Sequence, residues 1–75
     1  MNAEIPFVVD KDIMSGTPVF PGTRVPVQSL LDYLEDGESL DLFLEDFPTV
    51  TKVQVQQVIE FLRNMIVSGD YERAA

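Results

Sequence analysis

The sequence contains no cysteine and no histidine. Without cysteine the chain has no disulfide framework, no thiolate nucleophile and no cysteine-ligated zinc or iron–sulfur site. Without histidine it lacks the commonest metal ligand and general base. Catalysis would have to rely on carboxylates alone, which need a cleft between two acids, and a chain of 75 residues offers little room for one. We therefore expect no enzyme, no cofactor, no metal and no small-molecule substrate.

Long apolar runs and a leader-like N-terminus are also missing. Residues 1–10 contain no basic stretch followed by an apolar one, and nowhere do about 18 apolar residues follow one another. We expect a cytoplasmic protein without a membrane partner. Its length predicts a single domain over residues 1–75 with a marginal core, and its 45% hydrophobic residues argue against disorder.

The first third of the chain, residues 1–25, has the composition of a small β-arm or hairpin. Ile5 to Val9 is strand-like, although Pro6 restricts it to an edge position. Pro21 and Gly22 supply the two central residues of a type II turn.

Residues 26–69 carry helical periodicity, and residues 70–75 form a short tail. The first helix begins at Pro26 and stops at Gly37, with an apolar stripe at Val27, Leu30, Leu31 and Leu34. Ser39 caps a second, short helix that Pro48 ends, with apolar residues at Leu40, Phe43, Leu44 and Phe47.

The third helix has the best-marked start in the chain. Thr51 and Gln54 form a T-x-x-Q capping box, Val50 and Val55 match a hydrophobic staple, and Gly69 is the stop. Its predicted core stripe is Val55, Val58, Ile59, Leu62, Met65 and Ile66. We expect a core built from Leu30, Leu34, Phe43, Leu44, Phe47, Val55, Ile59 and Leu62. Three helices with a four-residue connection between the last two indicate a mostly α, helix-turn-helix domain.

The run from Ser15 to Val27, SGTPVFPGTRVPV, resembles the G-x-P-x-x-x-G-T-R-[IV]-P-V signature of the domain-of-unknown-function 433 family. Gly37-Glu38-Ser39 and Asp46-Phe47-Pro48 resemble two further motifs of that family, and the resemblance extends from about Ile5 to Met65. It implies a homeodomain-like or winged-helix-like fold. It also implies an antitoxin encoded beside a PIN-like ribonuclease toxin, because many members look like such antitoxins.

Arg24, in the Gly22-Thr23-Arg24 turn, has two interpretations. It contacts a phosphate or carboxylate of a partner, or it ties the turn to the first helix at Asp32 or Glu35. The second interpretation, in which Arg24 has a structural role, is favoured.

The net charge of −8 is concentrated in one stretch. Between residues 32 and 47 there are seven acids and no base: Asp32, Glu35, Asp36, Glu38, Asp41, Glu45 and Asp46. The first four crowd the C-terminal end of the first helix, where the helix dipole disfavours each carboxylate by up to ~1 kcal/mol. Either they dock a basic protein such as the toxin, or they form a solvated face that maintains solubility. A metal site lacks the D-x-D-x-D-G spacing.

The third helix carries the candidate DNA contacts, namely Lys52, Gln56, Gln57 and Arg63. Glutamine can pair with adenine, and arginine with guanine or phosphate. Against this, only five basic residues are available to neutralise phosphates. Four apolar residues outside the stripes, Tyr33, Leu42, Val53 and Val67, suggest a homodimer or a toxin contact.

The sequence thus predicts an antitoxin that docks a PIN-like toxin and regulates its own promoter through the helix-turn-helix. The alternative is a protein-only interaction adaptor or dimerisation module that does not bind DNA.

Overall fold

A computed structural model describes residues 5–69 of the chain. They form a 3-10 turn at Met14–Gly16 followed by three α-helices, α1 (Val27–Glu35), α2 (Leu40–Asp46) and α3 (Lys52–Ser68). The mostly helical fold predicted from the sequence is therefore confirmed for these residues. The predicted tail, residues 70–75, lies outside them.

The segment before α1 contains isolated bridges where the sequence predicts a β-arm. Val19 pairs antiparallel with Val8 on one side and with Pro26 on the other, and residues 5–69 contain no longer strand. The prolines explain why pairing stops, since Pro18 and Pro26 have no N–H to donate to a ladder. A left-handed turn, with φ of 52° at Met14 and 57° at Ser15, further separates the extended pieces.

The predicted turn at Pro21 and Gly22 is confirmed. Gly22 has φ of 76°, and the Thr23 N–H donates to the Phe20 carbonyl at 3.0 Å, as a type II turn requires. The Thr23 hydroxyl also donates to that carbonyl at 2.9 Å and accepts from the Val25 N–H at 3.0 Å. These bonds hold the chain where Phe20 enters the core.

The helix ends follow the predicted caps. The Ser39 hydroxyl accepts from the Leu42 N–H at 3.0 Å and starts α2. At α3, Thr51 and Gln54 form the reciprocal capping box, with bonds of 3.0 and 3.1 Å. Gly69 ends α3 in the left-handed conformation, with φ of 81°.

A single core lies between the N-terminal segment, α1, α2 and the first half of α3. Its buried residues are Val19, Phe20, Val27, Leu30, Phe43, Val50, Val55 and Val58. Phe43 is central, with ring centroids 4.9 Å from Phe47, 5.3 Å from Tyr33 and 6.1 Å from Phe20. The predictions for Leu30, Phe43 and Val55 are confirmed, and the half-buried Leu44 and Phe47 pack against them.

The predicted core stripe of α3 is correct only in its first half. Ile59 and Leu62 are 39% and 36% exposed, Met65 and Ile66 are also exposed, and so is Leu34 of α1 at 40%. Helix length explains the error. The 17 residues of α3 extend about 25 Å. The helices α1 and α2, with 9 and 7 residues, are each only about half as long, so they are too short to cover all of α3. Further along α3, Phe61 packs edge-on against Phe7 of the N-terminal segment.

Candidate macromolecule-binding surfaces

The acidic residues predicted from the sequence form an exposed surface on α1, α2 and the loop between them. We call Asp32, Glu35, Asp36, Glu38, Asp41, Glu45 and Asp46 the acidic surface; all seven are exposed. The one ion pair among residues 5–69 joins Arg63 to Glu60 at 3.7 Å, so no described cation neutralises any of the seven.

The helix dipole adds to this negative field. Asp32 and Glu35 lie in the last turn of α1, Asp36 is its C-cap, and that turn has no basic residue. The negative end of the helix dipole and the carboxylates therefore present negative charge together. Asp41 differs, because it lies in the first turn of α2, where the dipole favours an acid. A positively charged partner would relieve the repulsion at the end of α1.

Tyr33 links the two helices that carry the acidic surface. Its hydroxyl, on α1, donates to the Asp46 carboxylate on α2 at 2.6 Å, while its ring packs edge-on against Phe43 and Phe47. This hydrogen bond raises the pKa of Tyr33 above its ordinary value, with smaller contributions from burial and from the charges of Asp46 and Glu38. Tyr33, predicted as an off-stripe apolar contact, instead fixes α1 to α2.

The Tyr33–Asp46 hydrogen bond makes the stability of the fold decrease at high pH. Because the folded pKa lies above the unfolded one, the stabilisation is complete below the unfolded pKa of about 10 and is lost as pH rises through the folded pKa. We expect the ultraviolet difference titration between the parent and Tyr33→Phe to place Tyr33 above the ordinary tyrosine pKa, and Asp46→Asn to bring it down. An ordinary pKa in the parent would contradict this geometry.

Arg24 forms no ion pair with the first helix. It is exposed, and no ion pair connects it to Asp32 or Glu35, so that part of the structural interpretation is wrong. The turn is fixed by Gly22 and Thr23 and by Gln54 of α3, whose side-chain amide donates to the Pro21 carbonyl at 2.9 Å. Arg24 lies instead on the wall of a shallow cleft of about 620 Å³, which also includes Val8, Ile13 and Thr49.

The DNA-contact candidates lie at two positions along α3. Lys52, Gln56 and Gln57 are exposed on its first two turns, after the connection from α2. At 100° per residue Lys52, Gln56 and Arg63 share one face, and Gln57 points about 100° away from Gln56. Arg63 lies about two turns further along and already pairs with Glu60, so the structure brings only Lys52 and Gln56 together.

A second surface, which includes four residues predicted to lie in the core, runs between α1 and the end of α3. It is a shallow groove of about 420 Å³, here called the apolar groove, lined by Leu34, Ile59, Leu62, Arg63, Ile66 and Val67. One sequence signal could have revealed it: the apolar residues of α3 extend over more turns than two short helices can cover.

Two further properties concern residues 5–69 as a set. No group of three acidic side chains within this range is placed to hold a metal ion. None of its helices is long and apolar enough to cross a membrane.

One protein-family model matches most of the chain. The family model described as "Protein of unknown function (DUF433)" matches residues 8–62, which is more than half of the chain. The chain belongs to this family. The DUF433 match includes the Gly22-Thr23-Arg24 turn, the whole acidic surface and the first half of α3, and it ends before Ile66. Neither a curated protein nor a solved structure matches the chain.

Proposed function

We propose that this DUF433 protein is an antitoxin-type binding protein that docks a PIN-like ribonuclease toxin in the cytoplasm. The observation that carries the proposal is the acidic surface, whose seven exposed carboxylates have no cation partner among residues 5–69. It is the chemistry expected of a protein that binds a basic surface. No catalytic role is assigned to the chain.

A ribonuclease is a suitable partner for such a surface. An RNA-cleaving protein attracts phosphates with lysine and arginine side chains, so its substrate-binding region is positively charged. Carboxylates held on two packed helices compete for the same side chains. The Tyr33–Asp46 bond supports this role because it fixes α1 against α2 before binding, which lowers the entropy cost of association.

The test uses the protein encoded by the adjacent reading frame. The two purified proteins are titrated by calorimetry at physiological salt, and cleavage of a fluorescent RNA by the neighbour is followed with increasing amounts of this chain. We expect saturable binding together with loss of cleavage. No heat of binding and undiminished cleavage would reject the antitoxin proposal.

A second proposed role is promoter binding through a helix-turn-helix formed by α2 and α3. It is favoured by the placement of Lys52 and Gln56 on one face of the first turns of α3, which the capping box holds rigid. The net charge of −8 opposes DNA binding, and a bound basic toxin would offset that repulsion.

Anisotropy titration of the chain's own promoter, with and without the neighbouring protein, tests this role. We expect tighter binding with the toxin present. Lys52→Ala should weaken binding to any sequence, and Gln56→Ala should relax preference at one base pair by ~1–3 kcal/mol. If neither form prefers the promoter over random duplex, the protein acts as a protein-only adaptor.

A further inference from the structure

The apolar groove continues onto an apolar end of α3 that residues 5–69 leave uncovered. Ile66 and Val67 are 67% and 70% exposed, and Leu31, Leu34, Ile59, Leu62 and Met65 are each more than a third exposed. Together these side chains present on the order of several hundred Å² of apolar surface, the size of the largest apolar patch on a typical monomer, and such patches are often binding sites. A stable interface buries about 800 Å² per partner, and this patch would form the apolar centre of such an interface.

The charges on this part of α3 distinguish it from the acidic surface. From Ile59 to Ser68 the helix carries one acid, Glu60, and one base, Arg63, which pair with each other at 3.7 Å. This strip, residues 59–68 of α3, therefore has no net charge and does not attract a basic toxin. Two copies can meet there without opposing like charges within the strip, and the acidic surfaces beside it are screened over about 8 Å at physiological salt.

The order of these two charges also suits an antiparallel contact. A two-fold axis that crosses α3 near Leu62 reverses the order of Glu60 and Arg63 on the second helix. Each Arg63 then faces the second copy's carboxylate at position 60, while the apolar side chains on either side meet one another. A surface that carries both partners of an ion pair around an apolar centre is complementary to itself.

The size of the core provides an independent reason for self-association. The described core consists of eight buried hydrophobic residues, five of which are valines. A core of this size stabilises a small domain only marginally, and small domains commonly gain the remainder by oligomerisation. Burial of Ile59, Leu62 and Ile66 against a second copy would complete the apolar stripe that residues 5–69 leave half covered.

We infer that the apolar groove and the adjoining face of α3 bind a second copy of this chain, through an antiparallel two-fold contact between the C-terminal halves of the two α3 helices. This dimer lies beyond the proposed toxin docking and does not depend on it, because the two use different surfaces.

Sedimentation velocity of the full chain over a range of concentrations tests the inference. The chain should sediment as a dimer that dissociates on dilution. Val67→Lys should raise the dissociation constant about tenfold or more, and Ile66→Lys should raise it further. Val9→Lys is the matched control, since Val9 is also an exposed valine, at 60%, but belongs to the N-terminal segment and does not line the apolar groove. It should leave the dissociation constant unchanged.

A second measurement locates the contact even if a variant proves unstable. Because the chain has no cysteine, Asn64→Cys carries a single spin label close to the proposed axis, and Thr49→Cys carries one far from it. Double electron–electron resonance should give a short, well-defined distance for the first and a longer one for the second. A chain that stays monomeric at the highest soluble concentration overturns the inference, and so does a dimer unaffected by Val67→Lys and Ile66→Lys.

Discussion

Leu30→Ala is expected to lower the free energy of unfolding by about 3 to 5 kcal/mol, because Leu30 is fully buried and its loss leaves a cavity in the core. A domain of this size rarely has more than about 3–5 kcal/mol of stability from its core. The variant should therefore be largely unfolded at room temperature. Urea titration followed by circular dichroism measures the effect.

Leu34→Ala is the matched control on the same helix. The sequence places both leucines in one core stripe, but Leu34 is 40% exposed on the apolar groove. We expect it to cost about 1 kcal/mol or less in the monomer, since much of its surface is already in water. The comparison is made at a concentration that keeps the parent monomeric. Equal losses for Leu30→Ala and Leu34→Ala would contradict the boundary of the core.

Local signals in the sequence predicted the helices and their ends well. The capping box of Thr51 and Gln54, the Ser39 cap and the left-handed Gly69 each depend on residues only a few positions apart. Such features require no knowledge of what packs against a helix. The same holds for the turn at Gly22, whose φ of 76° follows from its own sequence.

The errors arose where the answer depends on distant residues. Periodicity shows that Ile59 and Ile66 share a face of α3 with Val55, but it does not show how far α1 and α2 extend along that face. In the N-terminal segment, the structure shows isolated bridges and not the longer pairing of the predicted β-arm. Val8 and Val19 do pair, but continuation of the ladder depends on which N–H groups the prolines remove.

The candidate surfaces were predictable to different degrees. Carboxylates on short helices cannot be buried unpaired, so the acidic run had to be exposed wherever the helices packed. By contrast, the Tyr33–Asp46 hydrogen bond joins residues 13 positions apart, and no local pattern identifies it. The absence of an ion pair between Arg24 and α1 was likewise not predictable, because no local pattern shows which charged groups meet in the fold.

Charge reversal on the acidic surface is expected to have a large effect on the rate of association with the toxin. Replacing Asp32, Glu35, Asp36 and Glu38 together with lysine should slow association with the toxin between about 10- and 1,000-fold at low salt, because the steering field changes sign. Three of these positions form the last turn and C-cap of α1, where lysine suits the helix dipole, so folding should be preserved. Circular dichroism and thermal melting check this.

A pair of single variants separates location from net charge. Glu35→Lys and Asp12→Lys change the charge of the chain equally, and both residues are exposed, but Asp12 lies in the N-terminal segment outside the acidic surface. We expect Glu35→Lys to slow association clearly and Asp12→Lys to change it little. Equal effects would mean that overall charge, rather than this surface, attracts the partner.

The most direct test of toxin docking by the acidic surface is the salt dependence of its association rate, measured by stopped flow for the parent and for Glu35→Lys. For the parent we predict a rate that falls steeply from low to physiological salt and above. For the variant we predict a slower and flatter dependence, with the two curves converging at high salt as the charges are screened. Superimposable curves for the two proteins at every salt concentration would contradict docking through this surface.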